Sequence, residues 1–129
     1  MPLEALRHEV SDTMRTWRKQ LLNKPNELDN RFYQPFAVLS YCRMLHTLEN
    51  GTVESKRAGA RWAKDTLDSR WHQLIQRAWD ARPGDPSLKV RQKADASDLR
   101  STWEFMEYAV DFGRQWKENQ SFARNALRG

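Results

Sequence analysis

Cysteine and histidine are scarce in this sequence, and their scarcity excludes several kinds of site. The 129 residues include one cysteine, Cys42, and three histidines that are scattered along the chain. One cysteine cannot form an internal disulfide, and so few nitrogen and sulfur ligands cannot build a zinc site by themselves. We therefore predict no metal site, and a lone thiol suits the reducing cytoplasm.

Glycine and proline are also few, and long apolar runs are missing. There are five residues of each type, against six tryptophans and 22 lysines and arginines. Few helix breakers and many good helix formers favour helices. No apolar run approaches the length of a membrane span, and none near the N-terminus resembles a signal sequence. We expect a cytoplasmic protein with no membrane partner.

Apolar residues recur at helical spacing along most of the chain, which predicts an all-α fold, a helical bundle of about five helices. One domain should cover residues 1–118, with a frayed tail over residues 119–129. The predicted helices span residues 3–22, 36–50, 56–67, 69–82 and 97–116, and residues 83–96 are predicted as a loop into which Leu88 and Val90 can tuck. The predicted core includes Leu39, Cys42, Leu45, Trp62, Leu74, Ile75 and Met106.

The second and third of these helices organise the chain. Apolar residues cover most of the circumference of the second helix, which is typical of a buried helix. Gly51 can end it in the left-handed conformation, and Ser55 is a suitable N-cap for the third helix. Lys56 then lies in a first turn that already carries partial positive charge. This arrangement suits an anion such as phosphate, although a lysine that simply points into water would fit the pattern as well.

Five short motifs in fixed order resemble the C-terminal helical domain of aminoglycoside adenylyltransferases of the streptomycin/spectinomycin type. The resemblance covers about residues 3–116 and is strongest over residues 38–82. The motifs are VLSYCR at residues 38–43, TLENG at 47–51, VESK at 53–56, AGARWA at 58–63 and LDSRWHQLI at 67–75. The family's helical domain forms one wall of the cleft that binds ATP and the antibiotic.

The resemblance implies a role for four residues. Lys56 matches the family's phosphate-contacting lysine, and Arg82 falls where the family often has a residue near the nucleotide base. Arg82 could equally be a helix-ending arginine that offsets the helix dipole. Glu27 and Asp29 are the acids of the loop that meets the cationic acceptor, although a solvated loop would also account for them. Directly before the second helix, where the family typically has acids, this chain has FYQP at residues 32–35.

The catalytic motifs of nucleotidyl transfer are missing from these 129 residues. That chemistry uses two carboxylates, usually D-x-D, to hold magnesium beside a Gly-Ser turn, and the sequence contains neither motif. In the family both belong to an N-terminal nucleotidyltransferase domain. We therefore predict no catalytic residue here. Such a domain or a separate chain would be the partner, and ATP with magnesium would be held only in a complete enzyme. Alone the chain should not catalyse.

Other activities are less well supported by the motifs. Neither a serine elbow nor a phosphate-cradling glycine loop is present. Arg43 and His46 are too close for the R-x(4–6)-H pattern of toxin-type ribonucleases. The net charge of +5 is spread among acids, which argues against a nucleic-acid groove. Two alternatives remain open: a basic module that binds an acidic protein or nucleic acid, and an assembly domain without a ligand.

Overall fold

The protein is a bundle of α-helices, as predicted. The computed structural model describes the backbone of residues 2–128 and the side chains of residues 2–116, and it contains no strand in that range. All but one of the helices are longer than two turns. The helices are α1 (Leu3–Asn23), α2 (Tyr33–Asn50), α3 (Lys56–Thr66), α4 (His72–Asp80), α5 (Pro86–Lys89) and α6 (Ala96–Arg128), with 3₁₀ turns at Pro25–Glu27 and Ser69–Trp71.

Helix α2 forms the centre of the bundle and packs against α1, α3, α4 and α6. Ten of its 18 residues are buried, which confirms the prediction of a buried helix. Burial raises the pKa of the Cys42 thiol, so this cysteine is a core residue and not a nucleophile. At the C-terminal end Gly51 adopts a φ of 76° and donates its amide to the Thr47 carbonyl at 2.8 Å, as its predicted role in ending the helix requires.

Helix α2 begins three residues before the predicted start. The side-chain oxygen of Asn30 accepts hydrogen bonds from the amides of Phe32 at 3.0 Å and Tyr33 at 2.7 Å. A short polar side chain that satisfies amides in this way starts a helix upstream of the apolar pattern. As a result Tyr33 and Phe36 both belong to the first turns of α2 and lie beside the loop that contains Glu27 and Asp29.

Two glycines allow helices to approach closely. A Cβ atom on Gly59 of α3 would lie 3.0 Å from the Cα of Arg43 in α2. A Cβ atom on Gly113 of α6 would lie 2.7 Å from the Ser11 hydroxyl in α1, so this glycine allows α6 to approach α1 closely. The first of these contacts involves backbone, which cannot move aside as a side chain can. The separation of α2 and α3 therefore depends on Gly59.

The predicted core is confirmed with one exception. Trp62 is partly exposed because it lies at the edge of the α2–α3 interface, where its ring packs edge-on against His46 with centroids 5.3 Å apart. The buried residues that agree with the prediction are Leu39, Cys42, Leu45, Leu74, Ile75 and Met106.

The segment predicted as a loop contains the short helix α5. Asp85 caps it by accepting the Ser87 amide at 2.9 Å, and Pro86 occupies the first helical position. The expectation that Leu88 and Val90 tuck into the core is wrong, since they are 59% and 42% exposed. Polar contacts attach this segment instead, because the Lys89 ammonium group donates to the backbone carbonyl of Ala81.

The predicted tail lies at the end of α6. The backbone of α6 is helical as far as Arg128, and the side chains from residue 117 onward lie outside the described residues. Fraying over residues 119–129 and the domain boundary at residue 118 therefore stay predictions. Within the described part of the chain, no helix is both long and apolar enough to span a membrane.

Replacing Gly59 by alanine tests the close packing of α2 and α3. At an exposed helix position, replacing glycine by alanine stabilises the helix by about 1 kcal/mol. Here its Cβ atom meets the Arg43 backbone, and we expect the free energy of unfolding in urea to fall by about 1–3 kcal/mol, the usual cost of overpacking. Gly113→Ala should cost less, because its nearest neighbours are side-chain atoms of Ser11 and Met14. A more stable Gly59→Ala protein would contradict the close contact.

Candidate functional site

Lys56 begins α3 and lies over an aromatic ring of α2. The Ser55 hydroxyl accepts the Ala58 amide at 3.1 Å, which confirms the predicted N-cap. The Lys56 ammonium nitrogen is 4.6 Å from the centroid of the Phe36 ring. A cation over an aromatic face at this distance gains about 0.5–1 kcal/mol at an exposed site. The partly buried Lys56 side chain is therefore held against the bundle and is not simply extended into water.

The first turn of α3 keeps the electrostatic character expected for an anion site. The Ser55 side chain accepts a hydrogen bond from the amide of Ala58. The amides of Lys56 and Arg57 have no intrahelical acceptor, because they belong to the first turn of the helix. No acidic residue lies in the first turn of α3. Partial positive charge from the helix and the ammonium group of Lys56 therefore occur together beside Phe36.

Phe36 also borders a large cavity beside the start of α2, which we call the aromatic cavity. Its volume is about 710 Å³, within the range of about 300–1,000 Å³ that is typical of small-molecule sites. The Phe36 ring packs edge-on against the rings of Trp17 and Tyr33, and the ring centroids of each pair are 6.1 Å apart. The cavity is lined by Trp17, Leu21, Glu27, Leu28, Asn30, Tyr33 and Phe36.

The two loop acids differ in their surroundings. Glu27 lines the aromatic cavity, and no ion pair involves its carboxylate within residues 2–116. The Asp29 carboxylate accepts the amide of Ala94 at 3.2 Å and so joins the loop before α2 to the segment after α5. Asp29 therefore has a structural contact, and its contact with an acceptor stays a prediction. Of the two acids, Glu27 is available to a cation in the cavity.

Arg82 lies just after α4 and stacks on Trp79. Its guanidinium carbon is 3.3 Å from the centroid of the Trp79 ring, and its Nε donates to the Trp79 carbonyl at 3.3 Å. Trp79 lines a cavity with Arg57, the residue after Lys56. The structure therefore brings Arg82 to the same end of the α3–α4 pair as the start of α3. A guanidinium held flat in this way can stack on a planar base.

Magnesium does not fit the described residues. No group of three or more aspartate, glutamate, histidine or cysteine side chains converges within them. The charge at this end of the bundle comes instead from separate side chains. Among them are Lys56, which contacts Phe36, and Glu27, which lines the aromatic cavity together with Phe36. The arrangement can bind an anion and a cation side by side, but it offers no metal-bound reaction centre.

Sequence reasoning missed the aromatic side chains of the site. The predicted core does not include Trp17, and the predicted second helix begins after Tyr33. A usable signal was present, because FYQPF at residues 32–36 puts three aromatic residues within five positions beside a polar loop. Aromatic residues at this density are more than the packing of one helix turn requires, and they suggest a binding surface.

Comparison with known proteins gives one finding. Residues 1–109 match a family described as aminoglycoside adenylyltransferase, C-terminal domain. No curated protein and no solved structure matches the chain.

Removing each loop acid in turn tests the difference between them. Asp29→Ala should lower the free energy of unfolding by about 1 kcal/mol, because it leaves the Ala94 amide without its acceptor. Glu27→Ala should change it by less than about 0.5 kcal/mol, the usual limit for surface substitutions. Urea denaturation measures both. Equal effects would mean that the bond between Asp29 and Ala94 contributes nothing to stability.

Proposed function

Because this chain belongs to the family of aminoglycoside adenylyltransferase C-terminal domains, we propose that it forms one wall of a cleft for ATP and a cationic acceptor. One observation carries this proposal: Lys56 contacts the Phe36 ring, and Phe36 also lines the cavity that Glu27 lines. Transfer of an adenylyl group to an aminoglycoside requires a polyanion and a polycation to lie next to each other. A bundle end with both signs of charge around one aromatic ring suits that requirement.

Each residue would have a distinct part in binding. Lys56, supported by the free amides of the first turn of α3, would contact an ATP phosphate. Arg82, held flat on Trp79, would stack on the adenine base. Glu27 would accept hydrogen bonds from an ammonium or guanidinium group of the acceptor. Tyr33 and Phe36 would pack against the apolar faces of the acceptor. Asp29 would act mainly by fixing the loop that carries Glu27.

The chemical step would take place on a partner. Magnesium, when bound by an adenylyltransferase, neutralises charge on the triphosphate. The described residues contain no cluster of carboxylates that could hold it, so a nucleotidyltransferase domain or a separate chain would supply the metal site. By itself this chain would bind weakly and remain inactive. A complete assembly would act in the cytoplasm, where ATP is available, and would confer resistance to the antibiotic.

Replacing Lys56 tests its part in binding ATP. One ammonium–phosphate contact is worth roughly 1–3 kcal/mol, so ATP should bind the isolated chain with a Kd of about 1 mM or weaker. In Lys56→Ala we expect the ATP-induced NMR shifts of the amides at residues 55–58 to disappear while the fold is kept. Lys19→Ala, which removes an exposed lysine on α1, is the control and should leave these shifts unchanged. Equal shifts in the Lys56→Ala protein would exclude a role for this lysine in ATP binding.

Replacing Glu27 tests the acceptor side of the cleft. Glu27→Gln keeps the shape of the side chain and removes its charge. We expect calorimetry to give a Kd for streptomycin or spectinomycin that rises about tenfold, because one charge-assisted hydrogen bond becomes a neutral one. The matched control, Glu9→Gln on α1, lies outside the aromatic cavity and should have little effect. The same loss in both variants would show that only the total charge of the chain matters.

A further inference from the structure

Three cations on one face of α3 line a second, smaller cavity. Arg57, Arg61 and Lys64 are spaced four and three residues apart, so they lie on one side of the helix. They face α4, and the cavity between the two helices has a volume of about 180 Å³. We call this cavity the basic groove. Its wall is completed by Ala60, Ile75 and Trp79.

The arginines of the basic groove are not neutralised by acids. Within residues 2–116, no carboxylate forms an ion pair with Arg57 or Arg61, whereas five other arginines of the chain have an acidic partner within 4 Å. Those five are Arg15, Arg18, Arg70, Arg77 and Arg114. Arg57 and Arg61 are exposed residues, and cations of one sign that line the same cavity add up to a positive potential there.

One acid, Asp80, lies near the groove, but its carboxylate is connected to Lys64 only through the side chain of Gln76. The Lys64 ammonium group donates to the side-chain oxygen of Gln76, and the Gln76 amide donates to Asp80 Oδ1 at 2.9 Å. Lys64 is thereby held in place without direct neutralisation. Arg82, stacked on the Trp79 ring that lines the groove, adds a further cation at its edge.

The basic groove is distinct from the position of Lys56. Lys56 contacts Phe36 of α2, whereas Arg57, Arg61 and Lys64 line a cavity shared with α4. The proposed role of Lys56 in binding ATP therefore does not account for the groove. Neither does the proposed acceptor, since a cationic ligand would be repelled by three cations.

The size and charge of the groove determine the chemical class of its ligand. A volume of about 180 Å³ is below the range of about 300–1,000 Å³ that holds a drug-sized molecule, so the groove suits an ionic group and not a whole nucleotide. Arginine forms paired hydrogen bonds with phosphate oxygens, and several cations together favour a multiply charged anion. We propose that the basic groove binds the diphosphate or triphosphate group of a small ligand. The group comes either from a free polyphosphate or from the phosphate end of a nucleotide.

Binding of inorganic triphosphate to the complete chain tests this proposal. Calorimetry at fixed ionic strength and without magnesium should detect binding. In the double variant Arg57→Gln, Arg61→Gln the Kd should rise by about tenfold or more, since two charged donors are lost. The control, Arg91→Gln with Arg100→Gln, removes the same charge from exposed arginines elsewhere and should raise the Kd by less than about threefold, the effect expected of screened surface charges. Circular dichroism checks that all variants keep their helices.

Two further measurements complete the test. One distinguishes the two possible sources of phosphate, and the other distinguishes the basic groove from the neighbouring site at Lys56. Equal Kd values for triphosphate and ATP would support recognition of the phosphate end alone, and tighter binding of ATP would support a nucleotide as the source. Lys56→Ala should raise the Kd for triphosphate by less than the groove variant does, whatever it does to ATP. Four results would overturn the proposal: no binding of triphosphate, an equal loss in the control variant, loss in Lys56→Ala but not in the groove variant, or binding of a single-stranded oligonucleotide alone.

Discussion

The close contact between α2 and α3 determines where the charged groups of this protein lie. Gly59 lets α3 approach the backbone of Arg43, and the Arg43 Nε donates to the Glu54 carbonyl at 2.9 Å, just before the N-cap of α3. Together these contacts fix the first part of α3 against the middle of α2. Lys56 consequently lies over Phe36, and the following cations turn toward α4. A larger residue at position 59 would displace both sets of charges.

This geometry places opposite charges near the same group of aromatic side chains. Lys56 approaches Phe36 from α3, and Glu27 lines the cavity that Phe36 shares with Tyr33. The two charges do not form an ion pair with each other, so each stays available to a ligand of the opposite sign. Such unpaired charges beside a partly apolar cavity interact more strongly with ligands than charges in open water do. The proposed cleft wall depends on this property and not on any catalytic group.

Local signals in the sequence were enough to predict most of the fold. The apolar circumference of α2, the left-handed Gly51 and the Ser55 cap each depend on a few neighbouring residues, and the structure confirms them. Features that depend on distant residues were missed. Trp62, a residue of α3, remains partly exposed because it lies at the edge of the interface with α2, where it packs against His46.

The candidate site was predictable to a smaller extent. The positions of Lys56 and Arg82 follow from helix boundaries, whereas the aromatic cavity requires α1, the loop and α2 to come together. The contact between Asp29 and Ala94 joins residues 65 positions apart, and no local pattern indicates it. The sequence therefore supplied the charged candidates, and tertiary packing decided which of them share a cavity.

The most direct test of the proposed cleft wall is whether nucleotide and acceptor bind side by side at Phe36. A spin-labelled aminoglycoside can be added to the isotope-labelled chain in the presence of ATP. The account predicts that the label broadens the proton signals of bound ATP and the amide signals of Tyr33, Phe36 and Lys56, while the amide of Asn50, at the far end of α2, is broadened much less. Broadening confined to another surface, or ATP signals that stay sharp while both ligands are bound, would contradict it.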